Sequence, residues 1–468
     1  MKSIFSKKIN ARRIFSFALI AAVFIANAAS FAGGRLTRAN SPYIINGDLR
    51  VFAGDSLIID PGVELRFGAS SSFIVEGLLV AQGTEQDSIF FTANGVSPTP
   101  GSWNGIFLYN VPARPLRRVV ISFAATGITC DGGTPIIEHS DFRRNVNGID
   151  FLNSTTAQVR YSLFLQNENA AIRCIDASPK IELNAISQNA LTGFESAIVC
   201  NGASPRIQHN LIFGNGRSGI DCVNGSSAEI YQNTLANNEF GITISESDPH
   251  LYNNIVTGSS TGISSESAAP QIFYNNVFGN SDGNFLDCPA GVGEMSTVNF
   301  NGHASDAFGN ISFHPLYVNP ADNDFRIGQG SPCIDAGSPD NPAGSSFVGS
   351  RPDLGFLEFD GAISDVSDRK STVPEEHALA QNYPNPFNPG TTIDYKVGGT
   401  ATQSVQLTIY NSLGQLVREL INTSQAPGLY QVYWNGKDGY SRAAGSGVYF
   451  SRLEVNKELH IRKMILTR

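Results

Sequence analysis

Three things are scarce in this chain, and each scarcity removes a class of protein. Past residue 30 no apolar run approaches the length a helix needs to cross a bilayer, which weighs against a transmembrane helical domain. Basic charge is in deficit: 32 Lys and Arg stand against 41 Asp and Glu, a formal net charge of −9. The overall cationic footprint that phosphate backbones require is therefore missing, and no nucleic acid partner is expected. Methionine occurs three times, and runs of the Ala, Leu, Glu and Lys that helices favour are absent, whereas Gly (46 residues) and Asn are abundant. That usage suits turns and strands, so an all-β fold is expected. Hydrophobic residues still make up 41% of 468 positions, ordinary for a globular chain long enough for two or three domains.

The N-terminus is the exception to the charge deficit. Lys2, Lys7, Lys8, Arg12 and Arg13 precede an apolar run over residues 14–25 and small residues around Ala26 and Ala28. This order reads as a cleaved signal peptide over residues 1–30, because the run is too short to span comfortably. Its removal takes the formal charge from −9 to −14.

What is plentiful is repetition. Between residues 127 and 280 one sentence of about 22 residues recurs seven times, each copy opening on a small residue followed by Ile: Ile128, Ile149, Ile172, Ile198, Ile220, Ile242 and Ile263. The spacings are 21, 23, 26, 22, 22 and 21. Two residues after each Pro position stand Ile137, Val159, Ile181, Ile207, Ile230, Leu251 and Ile272; seven after it stand Phe142, Phe164, Ile186, Ile212, Leu235, Val256 and Val277. With the opening Ile these columns give three inward strands per coil, and period-2 alternation then predicts the polar column Gln158, Lys180, Arg206, Glu229, His250 and Gln271 beside them, broken by Ile136. Two corner columns, Ser140, Ser162, Asn184, Asn210, Asn233, Asn254 and Asn275, then Asn145, Asn167, Asn189, Asn215, Asn238, Ser259 and Asn280, carry residues that tolerate left-handed backbone and bond to the next rung. The pattern describes a parallel β-helix with rungs about 4.8 Å apart. One coil cannot fold alone, since ordering its backbone costs about 1–2 kcal/mol per residue; stability must come from stacking, with both ends blocked.

The phrases "GDLRVFAGDSLIIDPGVELRFG", "GLLVAQGTEQDSIFFTANG" and "GSWNGIFL" resemble the N-terminal section of secreted bacterial right-handed β-helix proteins of the pectate-lyase-like superfamily. Further on, "GNISFHPLYVNPADNDFRIGQGSPCIDAG" and "RPDLGFLEF" resemble the closing segment of that group, with His314 where an acidic residue is expected before Pro315. A polar stretch without aliphatic pattern follows, and then "LAQNYPNPFNPGTTIDYKV", "VQLTIYNSLGQLVREL", "GLYQVYWNGKD", "SGVYFSRLEV" and "RKMILTR" resemble the C-terminal sorting domain of type IX secretion in Bacteroidetes and related bacteria. The expected order is thus a signal peptide over 1–30, a right-handed parallel β-helix with terminal cap over 31–360, a linker over 361–377 and a β-sandwich sorting domain over 378–468. The resemblance implies export through the outer membrane, with the type IX machinery as a partner, then release or attachment at the cell surface. A module that stays on the mature protein is the alternative.

Candidate sites are few. Cys130, Cys174, Cys200 and Cys222 share one inward column, and stacked rungs hold Cβ atoms farther apart than a disulfide wants, so reduced buried thiols are expected. Tyr231, Tyr252 and Phe273 occupy one outward column on consecutive rungs, a platform for sugar rings or simply a stabilising stack. In the superfamily, catalysis uses clustered acids for Ca²⁺ with a basic residue as base, or several carboxylates working together on a glycosidic bond. Here the outward column offers Asp150 and Arg173 on neighbouring rungs, Asp176 in the adjoining loop, and Asp221 three rungs away at roughly 14 Å. The pair reads most simply as a surface ion pair. The corner loop before the fourth opening pair stretches to seven residues, 190–196, and carries Phe194 and Glu195. These features favour a non-catalytic surface or secreted protein that binds extracellular glycan or acts as an adhesin, with no cofactor and no metal. The alternative is a polysaccharide lyase or glycoside hydrolase, for which Ca²⁺ becomes relevant.

Overall fold

The computed structural model describes residues 34–359 and 377–467, less 154–156, 341–342, 345, 383–384, 388–389, 400–401, 426–427, 440–441 and 457, together with the short strand Ile25–Asn27. The expected signal peptide and linker therefore lie almost wholly outside the described residues. These residues form two compact units that divide after residue 361.

The first unit is a right-handed parallel β-helix of about 22 residues per coil, built from three parallel sheets of 11, 11 and 12 strands. Each coil contributes one strand to each sheet, as in Asn147–Leu152, Gln158–Arg160 and Leu163–Leu165, named here sheets 1, 2 and 3 in chain order. Every position therefore pairs with its counterpart one coil away: Ile149 with Ile172, Val159 with Ile181, Phe164 with Ile186. The three aliphatic columns are buried throughout and form one continuous core. Rings stack on one another inside it, with Phe142 and Phe164 at 4.9 Å and Phe67 and Trp103 at 4.3 Å between centroids.

The corner residues divide their labour differently from expectation. Positive φ falls on the residue before each corner Asn or Ser: His139, Tyr161, Leu183, His209, Gln232, Asn253 and Tyr274 at the sheet 2–3 corner, and Arg144, Gln166, Gln188, Gly214, Asn237, Gly258 and Gly279 at the sheet 3–1 corner. The Asn columns turn inward instead and close hydrogen bonds along the axis. Asn210 shows the unit: Oδ1 accepts from the backbone N–H and Nδ2 of Asn184, both at 3.0 Å, while Nδ2 donates to Ile181 O at 2.8 Å and to Asn233 Oδ1 at 3.0 Å. A fully buried amide that meets its donors and acceptors this way satisfies backbone groups that the corner strips from the sheets.

At the far end, Gly283–Leu286 adds the last strand of sheet 1. Phe285, Cys288 and Val292 pack on the final coil. The chain then runs back along the outside of sheet 3. In this return segment Phe325 and Phe356 join Leu211 and Ala236, while Ile327, Cys333, Ala336 and Leu354 join Ile255. Gly355 is required here: its φ is +96°, and a Cβ would stand 2.8 Å from Ile255 Cδ1 and Thr234 Oγ1. His314, in place of the expected acid, is a packing residue. Its ring meets Phe278 edge-on, its Nδ1 accepts from Leu316 N–H at 3.0 Å, and burial lowers its pKa to about 4.

The second unit is a small antiparallel β-sandwich. One sheet pairs Thr391–Val397 with Gly428–Trp434 and Ala378–Leu379; the other holds Gln403–Asn411, Leu416–Gln425, Gly447–Val455 and Glu458–Leu466. Trp434, Phe387, Ile393, Leu407, Leu453 and Met464 fill the space between them. Among the described residues no helix is long and apolar enough to cross a membrane.

Candidate functional site

The outward column of sheet 1 brings Asp150 and Arg173 together as the spacing requires, because their strands pair in parallel with these two residues opposite. The contact is bidentate: Arg173 Nε donates to Asp150 Oδ1 at 2.8 Å and Nη2 to Oδ2 at 2.5 Å. It is not the surface ion pair expected, since the Asp150 side chain is only 7% exposed. The long loop is the reason. Residues 190–196 arch beside this column, and Glu195 Oε1 accepts from Arg173 Nη1 at 3.2 Å. Arg173 is thus clamped between two carboxylates, and the hydrogen bond it donates to Asp150, followed by the charges of Asp150 and Glu195, raises its pKa beyond the ordinary guanidinium value. Such a group stays cationic at any working pH. Glu195 Oε2 is buried and has no hydrogen-bond partner.

The rest of the loop faces water. Ala190 and Ser196 are buried at its two feet, whereas Leu191 is 60% exposed and Phe194 89%. Asp176, by contrast, stands at the sheet 1–2 corner with φ +49°, exposed, and does not enter the Asp150–Arg173–Glu195 cluster. Asp221 accepts from Thr243 Oγ1 at 2.6 Å and lies three strands from Asp150 in the pairing order. Among the described residues no group of three His, Cys, Asp or Glu is placed to hold a metal ion.

The aromatic column is less open than the alternation implies. Tyr231 is 4% exposed, held between the Arg206 guanidinium, 6.0 Å from its ring centre, and the edge of Tyr252 at 5.8 Å. Burial pushes its hydroxyl pKa up to about 12. Tyr252 and Phe273 remain half-exposed and stack with nearly parallel planes, centroids 5.3 Å apart at 16°. The cysteine column matches its expected place: Cys130, Cys174, Cys200 and Cys222 are all buried free thiols, and burial raises the pKa of Cys130 and Cys174. A shallow, partly open apolar depression near Leu78, Leu108 and Leu116 holds Arg114 as its one charged lining residue.

The residue contact that the sequence did not disclose is Glu195 to Arg173. The loop's extra residues break the column register, so nothing in the spacing says which rung Glu195 meets.

Two family models agree with the architecture. The family described as a right handed beta helix region matches residues 79–240, and the FlgD Ig-like domain matches residues 389–458. No curated protein matches the chain. Among solved structures the chain is similar to dimeric latent PorU from Porphyromonas gingivalis, at 20% identity and a TM-score of 0.18 over 20% of this chain and 9% of that one. It is similar also to pectate lyase Pel9A, at 17% identity and a TM-score of 0.38 over 68% of this chain and 88% of that one. The alginate lyase from Paenibacillus sp. str. FPU-7 is matched at 14% identity and a TM-score of 0.29, over 52% of this chain and 99% of that one. The class defined is a right-handed parallel β-helix joined to an Ig-like sandwich.

Proposed function

We propose that this chain is a non-catalytic β-helix of the cell surface or the secreted medium that binds extracellular glycan, in the manner of an adhesin, and that its C-terminal sandwich is a type IX sorting domain. The observation that carries the binding reading is Phe194. This residue is 89% exposed on a loop tied down at the next residue by the Glu195–Arg173 pair. Burying a phenyl side chain is worth about 1.5–3 kcal/mol, so an anchored loop that holds one out in water fits a ring that a partner covers. Flat aromatic faces suit the C–H faces of sugars, and Tyr252 and Phe273 offer two further rings.

A lyase needs a base beside its acids. Arg173 is the basic group beside Asp150 and Glu195, and both carboxylates hold it protonated. This supports binding over elimination at that place. The export half rests on the closing sequence phrases and on the Ig-like match over residues 389–458.

Two experiments test the proposal. On a glycan array, Phe194→Ala is expected to weaken the strongest wild-type signals about tenfold, equivalent to ~1.4 kcal/mol; unchanged binding counts against the loop. Removing residues 378–468 is expected to retain the protein inside the outer membrane, and undiminished surface display would rule out a sorting role.

A further inference from the structure

The dipeptide Asn–Gly occurs nine times in this chain, eight of them in the first unit. It is chemically unstable wherever the glycine amide is free. With no Cβ on the following residue, the backbone nitrogen can swing onto the Asn side-chain Cγ and displace ammonia. The solenoid uses Asn–Gly at several corners but keeps that nitrogen occupied. Gly148 donates to Ala170 O at 3.0 Å, Gly202 to Val223 O at 3.2 Å, Gly216 to Asn189 O at 2.9 Å and Gly225 to Glu246 O at 2.8 Å. Gly47 donates to Ser71 Oγ at 2.9 Å and Gly302 to Asn299 O at 3.0 Å. Gly105 lies inside the strand Trp103–Tyr109, which is paired on both sides. Side chains are held as well: Asn224 Nδ2 donates to Asn201 Oδ1 at 2.9 Å, and Asn301 Nδ2 to Ile334 O at 2.7 Å.

Asn94–Gly95 is the exception. It opens the connection, residues 94–102, between the sheet 3 strand Ile89–Ala93 and the sheet 1 strand Trp103–Tyr109. Asn94 is fixed by its own N–H, which donates to Phe67 O at 2.7 Å. Its side chain and the Gly95 N–H have no hydrogen-bond partner among the described residues. Both residues are exposed, Val96 beside them is fully exposed, and the space that a Cβ on Gly95 would take is empty. The attacking nitrogen and the carbon it attacks are therefore both unrestrained at this one place.

We infer that Asn94 is a modification site of the folded protein, converted to aspartate and isoaspartate through attack by the Gly95 nitrogen. That nitrogen bonds to Asn94 Cγ, the Cγ–Nδ2 bond breaks, and Nδ2 leaves as ammonia. Water then opens the five-membered imide at one of its two carbonyls. One opening gives Asp; the other gives isoAsp, whose backbone runs through Cβ and Cγ. Water is the only co-reactant, and nothing is oxidised or reduced. Each conversion adds one negative charge to a chain at −9, and isoAsp lengthens the connection between the two sheets by one methylene. The other seven pairs of the unit are spared because their amide must first leave its bond, and every 1.4 kcal/mol of opening cost slows the attack about tenfold.

The test is peptide mapping by mass spectrometry of the full chain held in mildly alkaline buffer, native and in guanidinium chloride, for wild type and Gly95→Ala. In the native wild type, the peptide containing Asn94 is expected to gain the mass of an amide-to-acid exchange at least about tenfold faster than the peptides of the other seven pairs. Its product should contain isoAsp, and isoelectric focusing should show a more acidic form growing in step. In guanidinium chloride all eight should convert at similar rates. Gly95→Ala places its methyl in empty space, so it should keep the wild-type melting temperature while hindering the nitrogen's approach and slowing conversion at least about fivefold. Native conversion of Asn94 no faster than the other seven, or an unchanged rate in Gly95→Ala, would overturn the inference. So would seven unreactive pairs in guanidinium chloride, since neighbouring sequence rather than the fold would then be what protects them.

Discussion

The outer face of sheet 3 is two surfaces on one ladder. In the coil of Asp141–Arg143 the outward residues are charged and half-exposed, whereas from Leu211 onward the same positions hold Leu211, Thr234, Ala236 and Ile255, all buried at 1% exposure or less. The inward side is apolar and buried in both halves, Phe142 and Phe164 giving way to Ile212, Leu235 and Val256, over corner columns of Asn with Ser at Ser140, Ser162 and Ser259. The difference comes from the return segment, whose Phe325, Phe356 and Leu354 lie on the later coils alone. In a solenoid, then, the repeat decides what faces in, and chain that lies outside the repeat decides what faces water.

The largest expected effect tests the part that both halves share. Asn210→Ala leaves the backbone N–H and Nδ2 of Asn184 without their acceptor in a fully buried corner. At about 1–3 kcal/mol per stranded group, a loss of ~4 kcal/mol is expected in chemical denaturation. Asn167→Ala, in the open half, should cost nearly as much. A small effect in either would mean that stacking of the aliphatic columns carries the coils without the ladder.

Phe356→Ala should break the comparison on one side only. Phe356 is 4% exposed, packs with Leu211 and Ala236, and donates its N–H to Thr234 Oγ1 at 3.2 Å. A cost of ~3 kcal/mol is expected. Amide exchange should quicken in Leu211–Phe213 and Thr234–Ala236 while Asp141–Arg143 keeps its protection. Uniform loss of protection along the solenoid would show that the return segment supports every coil.

The covered half should also carry a pH dependence. Burial, followed by the charge of Asp353, raises the Glu358 pKa to about 7, and burial raises Asp353 to about 6. Glu358 Oε1 accepts from Gln232 Nε2 at 3.2 Å and from Asp353 N–H at 3.1 Å, so it sits on the seam between return segment and solenoid. Because both folded values stand above the unfolded ones, this contribution to stability is fully present below about pH 4 and is lost as pH rises through 6 to 7. Glu358→Gln keeps the acceptor and removes the charge, so it should stabilise by ~1 kcal/mol at pH 8, after allowance for solvent screening, and change little at pH 4. Melting curves at both pH values check the sign.

The smallest effect belongs to the open half. Arg143 pairs with Asp141 in its own strand, with 42% of its side chain exposed, and Arg143→Ala should move stability by no more than ~0.5 kcal/mol.

Much of this is legible in the sequence. The opening Ile, the two aliphatic columns and the corner Asn columns repeat every 22 residues or so, and a parallel stack turns such a period directly into contacts. The left-handed position was not legible, because His139, Tyr161, Leu183 and Gln232 share no chemistry; only backbone geometry unites them. The fold-back was hidden for a different reason. Phe356 meets Thr234 across 122 residues, a separation that no local pattern records. That contact and its neighbours explain why the outward residues of the later coils are buried, while the clamp of Glu195 on Arg173 stayed hidden behind a loop whose added length erases the register.

The most direct measurement is incubation of the full chain with polygalacturonate, following bound protein by co-sedimentation and product by absorbance at 235 nm and reducing ends. The account predicts retention that falls in Phe194→Ala, with no rise in absorbance or reducing ends with or without Ca²⁺. A Ca²⁺-dependent rise at 235 nm that survives Asp150→Ala would contradict it and put an active site elsewhere on the helix.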